Sequence, residues 1–300
     1  MRTRLLGDTG LEVSVVGLGC NNFGGRIGED ASRAVIDAAL DAGVTFFDTA
    51  DVYGNRGGSE EIIGRALAGR RDRVMLATKF GHDMGNGEEA PGSRAYIRRA
   101  LDASLRRLQT DWIDLYQYHR PDNVTPLEET IGELDELVRE GTIRAYGTSN
   151  HSPEQVEEAA SLARAPYVSE QSQYSWLRRE VEEDLLPACE RLGVGFIPYF
   201  PLASGLLTGK VGRGRPPAEG TRLHGRPIDD DDLERVERLS GLADELGVPL
   251  LAVAIGGLAA QPAVLSVIAG ATKPDQVRAN AEAGAWEPSA EQLEAIRAAS

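Results

Sequence analysis

The sequence predicts a single α/β domain folded as a (β/α)8 TIM barrel that spans residues 1–300. The first observation is that eight apolar, strand-like segments alternate with helical segments along the chain. Strict alternation requires parallel strands joined by crossover helices, and eight such units close into a barrel. The second is that no linker or low-complexity segment divides the chain. The third is that the first strand runs into Gly17-Leu18-Gly19-Cys20-Asn21, which lacks the GxGxxG pattern of an open doubly wound sheet.

Composition and charge limit the classes of function that are open to the chain. The net charge is −15 and the isoelectric point about 4.8, which argues against nucleic acid or an anionic membrane surface as a partner. The two cysteines, Cys20 and Cys189, make no disulfide framework, and their spacing predicts no metal site. No apolar run approaches about 18 residues, and the first residues carry no signal-peptide pattern. We therefore expect a cytoplasmic protein that binds no membrane and no metal.

An N-terminal β-hairpin precedes the barrel. Residues 2–6 and 11–15 flank Gly7-Asp8-Thr9-Gly10, whose glycines and aspartate favour a tight turn. The barrel strands that follow are rich in β-branched and aromatic residues. They are predicted at 13–17, 44–47, 74–77, 113–118, 143–147, 168–173, 195–199 and 265–269.

Helical segments fill the intervals between these strands, because their apolar residues recur at helical spacing. Ser152-Pro153-Glu154-Gln155 has the residues that open a helix, and Gly141 follows the end of another. The predicted helices lie at 31–42, from 59, 93–108, 126–138, from 152, 184–192, 230–246, 249–260, 273–283 and 290–298. The barrel thus carries extra helices near its C-terminus. A loop at 203–227, rich in Gly, Pro and Arg, is too long for a plain connection and is interpreted as a functional flap.

Four chemically active side chains lie at the carboxyl ends of consecutive strands, where such barrels place their catalytic groups. Asp48, Lys79 and His119 end three strands, and Tyr53 follows the first of them. Each has a purely structural alternative: a capping aspartate, a surface lysine, a core histidine and a packing tyrosine. Their common placement on one rim favours a shared site.

This set of side chains suits the reduction of a carbonyl group. A phenol is a poor general acid unless its pKa is tuned. We expect the Lys79 ammonium to lower the pKa of Tyr53, with Asp48 holding Lys79 charged and in place. His119 would orient a carbonyl oxygen beside the phenol, which protonates that oxygen as hydride attacks the carbon. Side chains cannot donate hydride, so a nicotinamide cofactor is predicted.

The chain resembles the aldo-keto reductases over nearly all of its length. The motifs that carry the resemblance follow one another at predicted strand ends. They are Phe47-Asp48-Thr49-Ala50-Asp51-Val52-Tyr53-Gly54 with Ser59-Glu60-Glu61, Ala77-Thr78-Lys79, Asp114-Leu115-Tyr116-Gln117-Tyr118-His119, Gly147-Thr148-Ser149-Asn150, Tyr199-Phe200-Pro201-Leu202 and Gly270-Ala271-Thr272-Lys273-Pro274. The pattern is similar to that of the bacterial branch, which is related to the potassium-channel β subunits. The resemblance implies a catalytic tetrad of Asp48, Tyr53, Lys79 and His119, and all four are present.

The resemblance also implies NADP(H) bound in extended form across the barrel mouth. Ser149, Asn150 and Gln171 would bond the nicotinamide carboxamide, and Tyr199 would stack on its ring. The other implied contacts are Cys20, Asn21 and Asp48 at the nicotinamide end; Phe200, Pro201, Leu202, Ala203, Ser204, Gly205, Lys210 and Arg222 at the pyrophosphate and ribose; and Gly270, Ala271, Thr272, Gln276 and Asn280 at the adenosine phosphate and adenine. The flap would thus hold its basic residues over a ligand with several negative charges.

Several positions depart from the family pattern. Phe200 stands where many relatives have Ser, and Ala269 where many have Pro. Well-studied mammalian relatives hold the 2′-phosphate with a Lys at the position of Gly270 and an Arg at that of Gln276. Gln276, Thr272 and nearby basic residues would serve instead, so NADP(H) is favoured over NAD(H).

Arg120 is a further departure, because many relatives have Trp directly after the catalytic histidine. It would face the mouth of the pocket. There it would either bind a polar or anionic substrate or pair with Asp122. The pocket walls would come from Phe23, Asp51, the 81–92 loop and the flap, and these do not specify one carbonyl compound.

The function that follows is NADP(H)-dependent reduction of an aldehyde or ketone, with Tyr53 as general acid and a small carbonyl compound as substrate. One alternative is a sugar or polyol dehydrogenase that works in the oxidative direction. Another is a regulatory barrel that binds NADPH and signals redox state with slow turnover. A third is an aldolase-type Schiff base on Lys79, which leaves the cofactor pattern unexplained. We expect a monomer or a weak homo-oligomer.

Overall fold

The computed structural model describes residues 1–85 and 87–300, so Asn86 of the 81–92 loop lies outside the described residues. The described chain forms two sheets, one of two strands and one of eight. The strands are β1 (Thr3–Leu5), β2 (Glu12–Ser14), β3 (Val16–Gly19), β4 (Phe46–Asp48), β5 (Met75–Phe80), β6 (Ile113–Tyr118), β7 (Ile143–Ser149), β8 (Tyr167–Gln173), β9 (Gly195–Tyr199) and β10 (Val267–Gly270).

The N-terminal hairpin is confirmed and lies across the interior of the barrel at its amino end. β1 and β2 pair antiparallel, with Thr3 opposite Ser14. Leu6 and Val13 pack into the same buried cluster as Phe46 of β4. The prediction of one strand over 13–17 was wrong, because the chain turns after Ser14. The Ser14 hydroxyl donates to the Val16 carbonyl oxygen at 2.7 Å, which replaces strand pairing at that point.

The eight-stranded sheet is a parallel barrel in the order β10-β3-β4-β5-β6-β7-β8-β9. Two hydrogen bonds join its ends: Phe196 N–H donates to the Ala263 carbonyl oxygen, and Leu265 N–H to that of Phe196, both at 2.7 Å. The predicted (β/α)8 fold is therefore confirmed. Because all eight strands run the same way, their carboxyl ends form one rim.

In residues 1–85 and 87–300, ten α-helices surround the barrel and pack against its strands in buried apolar clusters. They are α1 (Glu29–Asp41), α2 (Tyr53–Ala66), α3 (Arg94–Leu108), α4 (Leu127–Glu140), α5 (Pro153–Leu162), α6 (Leu185–Leu192), α7 (Asp230–Glu245), α8 (Leu250–Ala259), α9 (Pro274–Ala283) and α10 (Ala290–Ala299). The pair α7 and α8 between β9 and β10, and α10 at the end, are the expected extra helices. No single described helix is long and apolar enough to cross a membrane, although the bent pair α7–α8 has the length and composition.

The predicted start and stop signals act where the sequence placed them. The Ser152 hydroxyl accepts the Gln155 amide at 3.3 Å, and the Gln155 side chain accepts the Ser152 amide at 3.0 Å, so α5 begins with a capping box. Gly141 ends α4 in the left-handed conformation, at φ 79°. The 203–227 flap contains a 3-10 helix, Ala203–Thr208, followed mainly by turns. It lies at the rim because it follows β9.

Candidate active site

A buried ion pair joins the carboxyl ends of β4 and β5. Lys79 Nζ donates to Asp48 Oδ1 at 2.6 Å, to Asp48 Oδ2 at 2.5 Å and to the Thr49 carbonyl oxygen at 2.9 Å. Lys79 is 0% and Asp48 2% exposed. Burial lowers the pKa of Lys79, but the charge and hydrogen bonds of Asp48 act in the opposite direction, and the net shift is upward. Lys79 is therefore a fixed ammonium at neutral pH.

Two glutamine amides complete the surroundings of Asp48. Gln117 Nε2 and Gln171 Nε2 donate to Asp48 Oδ2 at 3.4 and 3.2 Å. Gln171 was predicted at the cofactor carboxamide, and its side chain here is bound to Asp48. Gln117 is a residue that sequence reasoning missed. Two signals could have found it: it is polar within a buried strand, and it shares a strand face with His119, two positions later.

Tyr53 begins α2 and places its ring against this ion pair. Lys79 Nζ lies 5.3 Å from the ring centroid. The His119 ring meets the Tyr53 ring edge-on, with centroids 5.7 Å apart and planes at 85°. The four side chains predicted as a tetrad are thus neighbours at one rim.

The pKa of Tyr53 differs from the sequence-based expectation. Burial raises this pKa above its ordinary value of 10, and the Lys79 ammonium lowers it by less. The expected lowering by Lys79 is present, but burial outweighs it, and the sequence does not show how deeply the phenol is enclosed. Tyr53 therefore keeps its proton at neutral pH.

A left-handed turn follows Tyr53 and fixes its position. Gly54–Gly57 have φ values of 68°, 62°, 68° and 118°. The two central residues are not glycine, and each is strained by about 1–2 kcal/mol in this conformation. A Cβ on Gly54 would lie 2.5 Å from the Phe23 carbonyl oxygen, so only glycine fits that close approach. The backbone after Tyr53 is therefore held against the loop that follows β3.

His119 provides a neutral imidazole beside the phenol. Its Nδ1 is buried and finds no hydrogen-bond partner among the described residues. Burial lowers the pKa of His119 well below its ordinary value of 6.5, and the charges of Lys79 and Arg120 add to the effect. A neutral imidazole has one donor and one acceptor nitrogen. It can therefore donate a hydrogen bond to a carbonyl oxygen without serving as the acid.

Ser149, Asn150 and Tyr199 form a hydrogen-bonded group next to His119. Asn150 Nδ2 donates to Ser149 Oγ and to the His119 carbonyl oxygen, both at 3.0 Å. Tyr199 Oη donates to Asn150 Oδ1 at 2.8 Å. The residues predicted around the nicotinamide are thus gathered at the ends of β7 and β9. Cys20 supports the rim from beneath, because it is fully buried and its amide donates to the Asp48 carbonyl oxygen at 2.8 Å.

A basic cavity of about 650 Å³ lies between the flap and the loop after β3. It is lined by Arg26, Phe200, Ser204, Gly220, Thr221, Arg222, His224 and Arg226. Arg222 Nη2 donates to Asn21 Oδ1 at 2.9 Å and to Asn22 Oδ1 at 3.0 Å. The structure thus brings Phe200, Ser204 and Arg222 of the predicted set together, whereas Lys210 does not line this cavity.

Arg26 was not identified from the sequence, because it follows β3 and meets the flap only in the folded chain. Its Nη2 donates to the Gly220 carbonyl oxygen at 2.8 Å, across 194 residues of sequence. Arginine side chains bind phosphate through planar, bidentate hydrogen bonds. The cavity therefore has the chemistry to hold the phosphates of a nucleotide.

The residues predicted for the adenosine end lie where β10 leads into α9. The Gln276 side-chain oxygen accepts the Thr272 amide at 2.7 Å and the Thr272 hydroxyl at 3.2 Å. Asn22 Nδ2 donates to the Ala271 carbonyl oxygen at 3.2 Å. Asn280 is 5% exposed and faces a small void against β3, so its side chain is a packing group here.

Asp51 lies between Asp48 and Tyr53 in the sequence and is a buried acid. It is 1% exposed, and neither carboxylate oxygen has a hydrogen-bond partner in the part of the chain that the structure describes. Burial, with a contribution from Glu60, raises the pKa of Asp51 to about 8. Phe23 is 0% exposed. Both side chains are therefore nearly closed off from solvent, and the expectation that Asp51 and Phe23 line the pocket stays a prediction.

Comparison with known proteins places this geometry in a family. A model described as the Aldo/keto reductase family matches residues 15–300. A probable voltage-gated potassium channel subunit beta from Oryza sativa subsp. japonica is 39% identical over 300 residues, which cover 94% of this chain and 91% of the relative. An aldo-keto reductase from Bacillus subtilis (strain 168) is 39% identical over 295 residues, covering 94% and 88%. The holo form of an aldo-keto reductase from Bacillus halodurans superposes with a TM-score of 0.84 at 36% identity, covering 100% and 96%.

Proposed function

The chain belongs to the aldo/keto reductase family, and we propose that it is an NADP(H)-dependent oxidoreductase that reduces aldehydes or ketones to alcohols. The observation that carries the proposal is the joining of Tyr53, Lys79, Asp48 and His119 at one rim of the barrel. The family and fold make the protein an oxidoreductase. The cofactor, the acid and the direction of reaction are the proposed part.

The residues at the rim fit a dinucleotide. The basic cavity suits its phosphates, since Arg26, Arg222 and Arg226 line it. The amide group of Asn150 and the hydroxyl of Ser149 suit a carboxamide, because together they offer donors and acceptors. When bound, the cofactor would supply the hydride that no side chain can donate.

The side chains at the rim then have distinct tasks. His119 and the Tyr53 hydroxyl would bind the substrate oxygen, each through a hydrogen bond. Burial keeps the proton on Tyr53 until charge develops on that oxygen, and proton transfer from Oη then gives the alcohol. The Lys79 ammonium stabilises the phenolate as it forms, because it is fixed 5.3 Å from the ring in a site of low dielectric. Asp48 positions Lys79 and keeps it charged.

Nucleotide binding tests the cofactor assignment. We expect NADPH to bind more tightly than NADH in a fluorescence titration, because the cavity offers cations for an additional phosphate. A tighter complex with NADH would reverse the preference. Failure of both nucleotides to bind would overturn the proposed function.

The substitution Tyr53→Phe tests the acid. It removes only the hydroxyl, so we expect nucleotide affinity to be kept and turnover of a carbonyl panel to fall by about 10²–10⁴-fold. The single-turnover rate of NADPH oxidation is the direct measurement. Loss of affinity with retained turnover would show that Tyr53 binds the cofactor and that another group is the acid.

A second candidate is a nucleotide-binding regulatory barrel with slow turnover. The similarity to a probable voltage-gated potassium channel subunit beta favours it. The intact tetrad favours an active enzyme over this candidate. Tight NADPH binding with a rate that stays below about one turnover per minute for every carbonyl compound would support regulation, since enzymes of metabolism commonly turn over at about 1–10³ s⁻¹. Faster oxidation of polyols than reduction of carbonyls would instead support the dehydrogenase direction.

A further inference from the structure

Arg120 is an arginine without an acidic partner at the mouth of the barrel. The chain has a net charge of −15, and most of its described arginines pair with Asp or Glu. No carboxylate oxygen of residues 1–85 or 87–300 lies within 4.0 Å of the Arg120 guanidinium. The residue is exposed and directly follows His119 beyond the end of β6. An unpaired cation next to His119, on a protein of net negative charge, indicates a binding site for an anionic group.

Asp122 is the acid that could have paired with Arg120, and its oxygens are occupied. Oδ1 accepts the amides of Val124 at 2.9 Å and Thr125 at 2.8 Å. Oδ2 accepts the Gly92 amide at 2.8 Å and the Thr125 hydroxyl at 2.7 Å. Burial raises the pKa of Asp122, but these donors lower it more, so the carboxylate is ionised and satisfied. The alternative of a rim pair between Arg120 and Asp122 is therefore not what the structure shows.

The positive charge of Arg120 acts on two imidazoles at the catalytic end of the pocket, those of His82 and His119. His82, in the loop after β5, packs edge-on against His119, with ring centroids 4.5 Å apart. Burial lowers the pKa of both imidazoles, and Arg120 contributes to the lowering in each. Both rings are therefore neutral at pH 7. Arg120 is the cation that a ligand at His119 would meet on this side.

Arg56, in the turn after Tyr53, places a second cation over the loop that contains His82. A Cβ on Gly85 would lie 2.6 Å from Arg56 Nη1, so the guanidinium covers the loop three residues beyond His82. Arg56 also has no carboxylate within 4.0 Å in the described chain. Its backbone is held at φ 68°, a conformation that a long side chain rarely adopts. Strain of this kind persists mainly at functional sites.

We propose that Arg120, assisted by Arg56, selects carbonyl substrates that carry an anionic group. The inference rests on the proposed function, because it names the substrate class of that site. A guanidinium offers a planar pair of donors to a carboxylate or a phosphate. The net charge of −15 repels anions from the protein as a whole, so a local cation is needed to admit one.

Three benzaldehydes with the same aldehyde group test the proposal: 4-carboxybenzaldehyde, 4-formylphenyl phosphate and 4-nitrobenzaldehyde. The nitro group has the shape of a carboxylate without its charge. We expect Arg120→Gln to lower the ratio of kcat/KM for the carboxylate over that for the nitro compound by at least about tenfold, because a hydrogen bond to a charged group is lost. The phosphate arm tells whether a dianion is preferred over a carboxylate. Arg56→Gln should lower the same ratio less.

Arg164→Gln is the matched control. Arg164 is also exposed, and its guanidinium also has no carboxylate within 4.0 Å in the described ranges, but it precedes β8, at the amino end of the barrel. Arg164→Gln removes one positive charge, as Arg120→Gln does, and it should leave kcat/KM for all three aldehydes unchanged. Equal ratios in wild type and Arg120→Gln would overturn the proposal. An equal fall in Arg164→Gln would also overturn it, because the effect would then come from net charge alone.

Failure of this inference can be told apart from failure of the proposed function. Reduction of all three aldehydes by NADPH, with rates that do not depend on Arg120, leaves the reductase standing and removes the anionic substrate. Absence of reduction for all three aldehydes, with Tyr53 intact, contradicts both. Higher ionic strength should lower the ratio of kcat/KM for the carboxylate over the nitro compound more in wild type than in Arg120→Gln, and the same salt dependence in both proteins would count against Arg120.

Discussion

Two buried aspartates, Asp114 at the amino end of the barrel and Asp51 at the carboxyl end, differ in whether their carboxylates have hydrogen-bond partners. Asp114 is 2% exposed and accepts hydrogen bonds from Arg71 at 2.7 Å, the Leu76 amide at 2.9 Å and Trp112 Nε1 at 3.2 Å. Arg144 Nη1 lies 3.0 Å from Asp114 Oδ1. Asp51 is as deeply buried and finds no hydrogen-bond partner in the described chain.

Backbone strain follows the same division. Eight described residues other than glycine have positive φ, and seven of them follow the carboxyl ends of strands. The seven are Asn55, Arg56, Asn123, Asn150, Phe200, Ala203 and Ser204, and the eighth, Gln109, ends a helix at the amino end. Strained backbone and an unsatisfied carboxyl group both cost stability. The amino end therefore stabilises the barrel, and the carboxyl end uses that stability to hold reactive groups in place.

Removing the ammonium of Lys79 should have the largest effect. Lys79→Met leaves the Asp48 carboxylate buried without a cation, so we expect the free energy of unfolding to fall by about 3–5 kcal/mol. Turnover should fall by about 10²–10⁴-fold, because nothing then stabilises the Tyr53 phenolate. Urea unfolding and steady-state kinetics measure the two effects.

The double variant Asp48→Asn/Lys79→Met is the control for that change. It removes both charges, so it should recover much of the lost stability but none of the activity. Recovery of both would mean that the pair serves only the fold. The carboxyl end would then differ from the amino end in position but not in role.

Asp51→Asn should stabilise the protein, increasingly as the pH rises. The folded pKa of Asp51 is about 8, above its ordinary value of 3.8, so the folded state binds a proton that the unfolded state releases. Wild-type stability therefore falls as the pH rises from about 4 to about 8, and above that the loss caused by Asp51 is complete and changes no further. Between pH 5 and pH 8 the difference between variant and wild type should grow by on the order of 4 kcal/mol.

Thermal unfolding of both proteins across that pH range measures the difference. Glu170, whose pKa burial raises to about 7, titrates in both proteins and cancels in the comparison. A difference that is constant from pH 5 to pH 8 would show that Asp51 is ionised in the folded state and has a partner.

The same substitution at the amino end should act in the opposite direction. Asp114→Asn removes a charge that Arg71 and Arg144 both use, so we expect a loss of about 3 kcal/mol in unfolding free energy. The change lies at the far end of the barrel, so kcat should stay within about twofold of wild type. A large fall in kcat with stability retained would break the division between the two ends.

The fold and the tetrad could be predicted from sequence because they depend on short patterns. Strand periodicity fixes which residues are the last in each strand, and all eight last residues meet at one rim. Asp48, Lys79 and His119 were found on that basis alone. Their distances from one another follow from the parallel register, in which Asp48 pairs with Ala77 and Lys79 with Gln117.

The parts that could not be predicted depend on burial or on contacts between distant segments. Arg26 joins the basic cavity only because the flap folds back over the loop after β3. The direction of the Tyr53 pKa shift depends on how much solvent is excluded, and no local pattern shows that. The left-handed backbone of Arg56 belongs to a turn in which Gly54 and Gly57 flank Asn55 and Arg56, and no local pattern shows it, since arginine by itself favours a right-handed helix.

The smallest expected effect compares strain at the two ends directly. Arg56→Gly and Gln109→Gly each relieve a left-handed residue, a gain of about 1–2 kcal/mol that the added freedom of glycine in the unfolded chain reduces to about 0.5–1 kcal/mol. Both variants should therefore be slightly more stable in urea unfolding. Only Arg56→Gly should also lower the preference for 4-carboxybenzaldehyde over 4-nitrobenzaldehyde, because its guanidinium lies at the rim. An unchanged preference, with both proteins stabilised, would show that the strain at Arg56 serves the turn after Tyr53 and not the substrate.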